Sequence, residues 1–290
     1  MHVQEASRLF QTQLAANGRS GHTTAQYERH VAAFIGLLEA NRRRTDLVAI
    51  TPTVVAEFFG SEAATASARG GKKKATSANA QRTSLRCFFR WAHESGLTAT
   101  NVARLLRRAR CSAPPPKALH DDEQQRLLAV LAAATGPEAE RDRMLVELLL
   151  GTGIRLGSAL AIDITDVDLA HSEISLRTAK NDRPCSAVLP AGVAAKLKAF
   201  VGTRTAGPLF MAGDRRICTR HAQRRLAGWF RAANIVGKSA HSLRHTFATT
   251  LLARTGDLRL VQEAMNHASI VSTTIYTQVD KARLRAVVGA

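Results

Sequence analysis

Three consecutive prolines, Pro114-Pro115-Pro116, constrain this chain more than any other feature. Each fixes φ near about −65° and removes a backbone donor, so a helix cannot cross the run and a sheet interior cannot contain it. The flanking residues Arg107, Arg108, Arg110, Cys111, Ser112 and Lys117 are polar or basic. They suit an extended tether. The sequence therefore divides into residues 1–108, a linker over 109–117, and residues 118–290. The chain has 290 residues, close to the length of about 250–300 at which a single core tends to split.

Charge says what two such bodies would hold. The net charge is +18. Up to Pro116 there are 17 basic and 7 acidic residues, and after it 24 and 16, so the parts carry +10 and +8. A basic tail would load one end; a polyanion gripped from two sides loads both. Nucleic acid is the usual polyanion of this kind. The competing reading is charge that only maintains solubility.

The first part reads as nearly all helix. Tyr27, Val31, Phe34, Leu37 and Leu38 recur at helical spacing over Ala25–Ala40, with Thr23 or Thr24 placed to cap. Thr51-Pro52 opens another helix with Val54, Val55, Phe58 and Phe59 inward. A basic loop with Lys72, Lys73 and Lys74 precedes a helix expected over about Ser77–Ser95, whose Leu85, Phe88, Phe89 and Trp91 suit a core. Arg82, Arg86 and Arg90 fall four apart on that helix, a like-charged row that opposes folding unless an anion compensates. With the three lysines they form a candidate DNA-tracking face; a solvated helix surface is the alternative.

The second part reads as α+β. Helices are expected from Asp121, over Arg141–Leu150, Ala191–Val201, Thr219–Ala233 and Leu258–Met265. Glu173–Ala179 and Ser186–Pro190 read as short strands joined by the turn Lys180-Asn181-Asp182-Arg183-Pro184. The overall class is mainly α with a small β-hairpin or sheet. Arg220, Arg224 and Arg225 on the Thr219 helix are candidates for groove or phosphate contact.

Chemistry gathers near the end of the sequence. His241 and Arg244 are three apart at a helix start and share a face. His245 reads as a packing residue. His267 and Tyr276 follow. Upstream, Arg155 lies among Gly151, Gly153 and Gly157, where the backbone allows close approach. Lys180 alone would be an ordinary turn lysine. Phosphodiester cleavage by a side chain needs a nucleophile, cations on the phosphoryl oxygens, and acid and base groups. Arginine forks bridge two oxygens, a histidine takes a proton, and a tyrosine near cations loses its own more readily. No carboxylate cluster suits magnesium, and four widely spaced cysteines without Cys-x-x-Cys suit neither zinc nor a disulfide framework. No metal or other cofactor is expected. No apolar signal core or membrane span is evident, so a cytoplasmic protein is expected.

Arg155 in Thr-Gly-Ile-Arg, Lys180 in a hairpin, His241-x-x-Arg244, and Asn266-His267 followed nine residues later by Tyr276 resemble the tyrosine recombinase (phage integrase) family, in a Xer-like two-domain form. The resemblance implies a helical core-binding domain and a catalytic domain closing as a C-shaped clamp on a double-stranded recombination site. It implies that Tyr276 attacks the scissile phosphate to leave a 3′-phosphotyrosine and a free 5′-hydroxyl. Arg155 and Arg244 would bind the phosphate, Lys180 act as general acid, His241 as general base, and His267 as a further donor. Four protomers would exchange strands through a Holliday junction without ATP, with residues 277–290 packing into a neighbour through Leu284, Val287 and Val288. Ser158 stands where the family often has an acidic residue. Asn266 replaces a usual glycine, and Asn is the next-best residue for a left-handed cap. A type IB topoisomerase and a non-catalytic DNA-binding regulator are the rival functions.

Overall fold

The computed structural model describes residues 1–67, 70–111, 117–176 and 185–265. Lys180, His267 and Tyr276, and the tail over 277–290, lie outside the described residues. The chain separates into two compact units, Met1–Ser112 and Ala113–Ala290. Among the described residues, no helix is long and apolar enough to cross a membrane.

Unit 1 is helical. Helix α1 (Val3–Ala16) buries Val3, Ala6, Phe10 and Leu14, one stripe at helical spacing. Helix α2 (Gly21–Ala40) starts four residues before the expected Ala25. The capping oxygen belongs to Ser20, which accepts from the Thr23 amide at 3.3 Å, and not to Thr23 or Thr24. Helix α3 (Pro52–Gly60) is capped by Thr51, and a short α4 (Glu62–Thr65) follows. Helix α5 (Ala75–Glu94) buries Leu85, Phe88, Phe89 and Ala92. Phe34 meets Phe58 and Phe89 edge-on at 5.3 and 5.6 Å. Each such buried ring is worth about 2–3 kcal/mol over exposure, so this unit has a core of its own. Asn79 of α5 is buried and brackets Ala109, donating to its carbonyl at 2.9 Å and accepting from its amide at 2.8 Å.

Unit 2 is built on α7. It contains α6 (Asp121–Ala133), α7 (Pro137–Thr152), α8 (Leu156–Ala161), strands β1 (Val167–Asp168), β2 (Glu173–Leu176) and β3 (Cys185–Val188), α9 (Ala191–Val201), β4 (Met211–Ala212), β5 (Arg215–Arg216), α10 (Thr219–Ala232), α11 (Ala240–Thr255) and α12 (Leu258–Ala264). Helix α7 begins at Pro137, earlier than the expected Arg141, because proline fits a first helical turn. From Arg141 onward no residue of it is exposed, with Met144, Leu145, Val146, Leu148 and Leu149 buried. Helices α6, α8, α9, α10 and α11 all pack against it. That all-round burial makes it the axis of the unit.

The three-stranded sheet is antiparallel in the order β1-β2-β3, with Leu176 opposite Cys185. Ile174, Leu176 and Ala187 face the core. Strand β3 stops at Val188 rather than the expected Pro190, because Pro190 caps α9. Strand β2 is described to Leu176; residues 177–179 of the expected strand lie outside the described residues. The edge strand β1 and the β4–β5 pair were not expected. Two residues are too few to show an alternation.

Candidate active site

The site begins where α7 ends. Gly153 adopts φ +63°, the left-handed conformation that closes a helix. A Cβ there would lie 2.1 Å from Cδ1 of Phe247, so the ring on α11 packs directly on the glycine. Only glycine meets both demands. The chain then turns, and Arg155 emerges as the exposed cap residue of α8.

Arg244 approaches from α11 and is only 3% exposed. Its guanidinium donates to the Gly153 carbonyl and, at 2.6 Å, to the Met265 carbonyl. One side chain thus ties α11 to the Arg155 turn and to the residue after α12. A buried arginine is stable only when its fork is satisfied in this way. Among the described residues no carboxylate pairs with Arg155; Ser158 stands three residues on.

Arg155, Arg244 and His241 line one cavity of about 290 Å³, together with Lys238 and Gln223. The shared face of His241 and Arg244 is therefore real. The His241 ring reaches solvent, yet its pKa is lowered by desolvation first, then by Arg244 and Arg155. It is neutral at neutral pH, the form a general base needs. His245, read from the sequence as a packing residue, sits beside His241. Its ring meets His241 edge-on at 4.8 Å, and burial, then His241 and Arg244, push its pKa down to about 4.

Cys185, at the start of β3, was not singled out in the sequence. Burial raises its thiol pKa while Arg155 and Arg244 pull it down. The two arginines are therefore near enough to act on it. Cys185 and its partner Leu176 bracket the segment that contains Lys180. Both flanks of that segment are thus anchored, and one flank lies in the field of Arg155 and Arg244. Among the described residues, no group of three or more His, Cys, Asp or Glu side chains could hold a metal ion.

The proposed DNA-contacting residues fall into two kinds. Lys72, Lys74, Arg86, Arg90, Arg220 and Arg224 are exposed. Lys73 is half-buried and donates to Gln81 at 3.1 Å. Arg82 stacks 5.2 Å over the Phe59 ring, and Arg90 lies 3.9 Å from Glu94. Arg225 stands apart from Arg224. It donates to Asp142 at 2.7 Å, pairs with Glu138 at 3.2 Å and lies 5.6 Å over Trp229. Asp142 is 1% exposed, and also accepts from Arg141 and from the Trp229 indole at 2.8 Å. Arg225 thus fastens α10 to α7. Adjacent Arg141 and Asp142 look like surface charges in the sequence; the hint was the apolar residues at Ala139, Leu145 and Val146 on either side.

Residues 117–283 match the Phage integrase family, and residues 8–96 match the phage integrase N-terminal SAM-like domain. A tyrosine recombinase XerC of Mycobacterium tuberculosis (strain ATCC 25177 / H37Ra) is 33% identical over 286 residues, covering 93% of this chain and 92% of the relative. One from Mycobacterium sp. (strain JLS) is 32% identical over 285 residues, with the same coverage of each. Among solved structures, XerH site-specific recombinase bound to a difH substrate aligns with a TM-score of 0.70 at 23% identity, over 91% of this chain and 78% of that one. A lambda integrase tetramer bound to a Holliday junction aligns with a TM-score of 0.72 at 19% identity, over 97% and 80%.

Proposed function

The chain belongs to the phage integrase family and is a site-specific tyrosine recombinase; from that premise we propose how its own residues cleave and rejoin DNA. The observation that carries the reading is the convergence of Arg155, Arg244 and His241 on one cavity. The cavity holds one phosphate. Arg244 binds one side from a fixed position, and Arg155 closes on the other from the exposed turn. His241 takes the phenolic proton as Tyr276 attacks phosphorus. The P–O bond to the 5′ oxygen breaks, Lys180 gives that oxygen its proton, and a 3′-phosphotyrosine and free 5′-hydroxyl result. His267 donates to a phosphoryl oxygen. A 5′-hydroxyl from a partner strand then attacks the phosphotyrosine, releasing Tyr276, so bond energy is retained and ATP is not needed.

Residues 1–108 are the core-binding domain, 118–290 the catalytic domain, and 109–117 the tether. Lys72, Lys74, Arg86, Arg220 and Arg224 contact DNA phosphates. Four protomers act together on DNA, with residues 277–290 reaching a neighbour, and the protein works in the cytoplasm.

The test uses a pool of nicked duplexes with randomised flanks. Cleavage next to the nick releases a short fragment, which traps the covalent intermediate. Denaturing electrophoresis is expected to show protein-linked DNA, absent in Tyr276→Phe, and sequencing that DNA identifies the site. No trapped DNA from any sequence in the pool would contradict the enzyme and leave a DNA-binding regulator. Relaxation of plasmids lacking the recovered site would instead point to a topoisomerase.

A further inference from the structure

Thr246 lies on α11, 5% exposed, four residues after Ser242. Its hydroxyl donates to the Ser242 carbonyl at 2.9 Å. That bond is common for a threonine inside a helix and means little alone. The same oxygen also accepts from the Leu119 amide at 2.8 Å. Leu119 is buried, and its amide needs an acceptor there. One hydroxyl therefore joins the first residues after the proline run to the first turn of α11.

Two further contacts follow the same line. Lys238 donates to the Ala118 carbonyl and pairs with Glu123 at 3.4 Å. Glu123 in turn accepts from the His120 amide at 2.9 Å. Lys117 reaches the Gly237 carbonyl at 3.5 Å. Residues 117–120 thus run along 237–246 and are fastened to it at successive points. The fastened stretch contains both His241 and Arg244. Ser242, the residue Thr246 holds, lies between them.

We propose that Thr246 is a positioning residue: its hydroxyl fastens residues 117–119 as a strap across the start of α11, and the strap holds His241 and Arg244 in register with the phosphate pocket. This rests on the reading of that pocket as the phosphate site. Arg244 ties α11 to Gly153 and Met265 on the C-terminal side of His241; the strap contacts at Gly237 and Lys238 lie on its N-terminal side. The cap made by Ser239 and Ser242, where the Ser239 amide donates to the Ser242 hydroxyl at 3.1 Å, fixes the local helix start but ties it to nothing outside α11. The strap supplies an outside anchor in addition to the Arg244 bonds. A misplacement of about 1 Å at a reacting group costs on the order of 100-fold in rate, so a modest loosening has a measurable effect.

Thr246→Val keeps the shape and removes the hydroxyl; Thr246→Ser keeps the hydroxyl. Hydrogen exchange of the full chain without DNA is expected to be at least about five-fold faster over residues 239–246 in Thr246→Val, with unit 1 unchanged. With the duplex recovered by trapping, cleavage should slow by about 10–100-fold while binding stays within about twofold. Thr246→Ser should restore both. Unchanged exchange in Thr246→Val overturns the proposal. So does a Thr246→Ser defect as large as that of Thr246→Val, or a loss of binding that matches the loss of cleavage. If Thr246→Val fails to fold, Glu123→Gln probes the strap through Lys238. Faster exchange over 237–241 supports the strap, and no change overturns it. Exchange is read without DNA. A wild type that traps nothing would sink the recombinase chemistry while the strap is still decided.

Discussion

Arg155 and Arg244 reach the same cavity from regions built in opposite ways. The start of α11 is buried, strapped and cross-tied, and Arg244 is locked to carbonyls on two other segments. The turn before α8 is exposed, and Arg155 stands at its tip. The first region trades freedom for a fixed charge; the second keeps a charge that can close on a ligand. α10 repeats the contrast on neighbouring residues. Arg225 is bound into the Asp142 cluster, and Arg224 faces solvent. Basic residues in this chain thus divide into those that hold the fold and those that face solvent.

The strongest way to break this division is to delete each pocket arginine. Arg244→Ala leaves two carbonyls without their donor in a buried place, which should cost about 3–5 kcal/mol of stability. Arg155→Ala should change stability by no more than about 0.5 kcal/mol. Both should slow covalent trapping by on the order of 10²–10³-fold. Equal stability losses in denaturant titrations would erase the distinction.

The α10 pair gives a smaller effect. Arg225→Ala should cost about 1–3 kcal/mol, because Asp142 loses one of its charged partners. Arg224→Ala should leave stability intact and reduce the log–log salt slope of DNA binding by about one unit. A reversed outcome, with Arg225 setting the salt slope and Arg224 the stability, would contradict the assignment.

Acid titration sharpens the account of the α11 region with the smallest change. His245 titrates near 6.5 in the unfolded chain and at about 4 when folded. Protons therefore bind the unfolded chain better between those values. Stability should fall as pH drops from about 6.5 toward 4 and level off below. His241 shifts in the same direction. In His245→Leu the acid slope should flatten; a slope unchanged from wild type would show that His245 does not carry it.

Much of this was legible in the sequence. The apolar spacing of Val31, Phe34 and Leu38 gives α2 its buried face. The His241-x-x-Arg244 spacing brings two pocket groups together because three residues make nearly one helical turn. What stayed hidden depends on contacts between distant residues. Nothing near Arg225 distinguishes it from Arg224 until α7 supplies Asp142 from 83 positions away. Cys185 looked ordinary because its setting comes from Arg155 and Arg244, which arrive from other elements. The Leu119–Thr246 bond joins residues 127 apart, and a leucine amide carries no sequence signal at all. Helix starts were missed where the cap lay before the apolar pattern, as at Ser20 and Gly136.

The most direct test of the central claim is the mass of the covalent junction. Protein trapped on the nicked duplex is digested with trypsin and nuclease, and the modified peptide is sequenced by mass spectrometry. The expected result is a nucleotide joined through its 3′-phosphate to Tyr276. A nucleotide joined to any other residue, or through a 5′-phosphate, would contradict the mechanism.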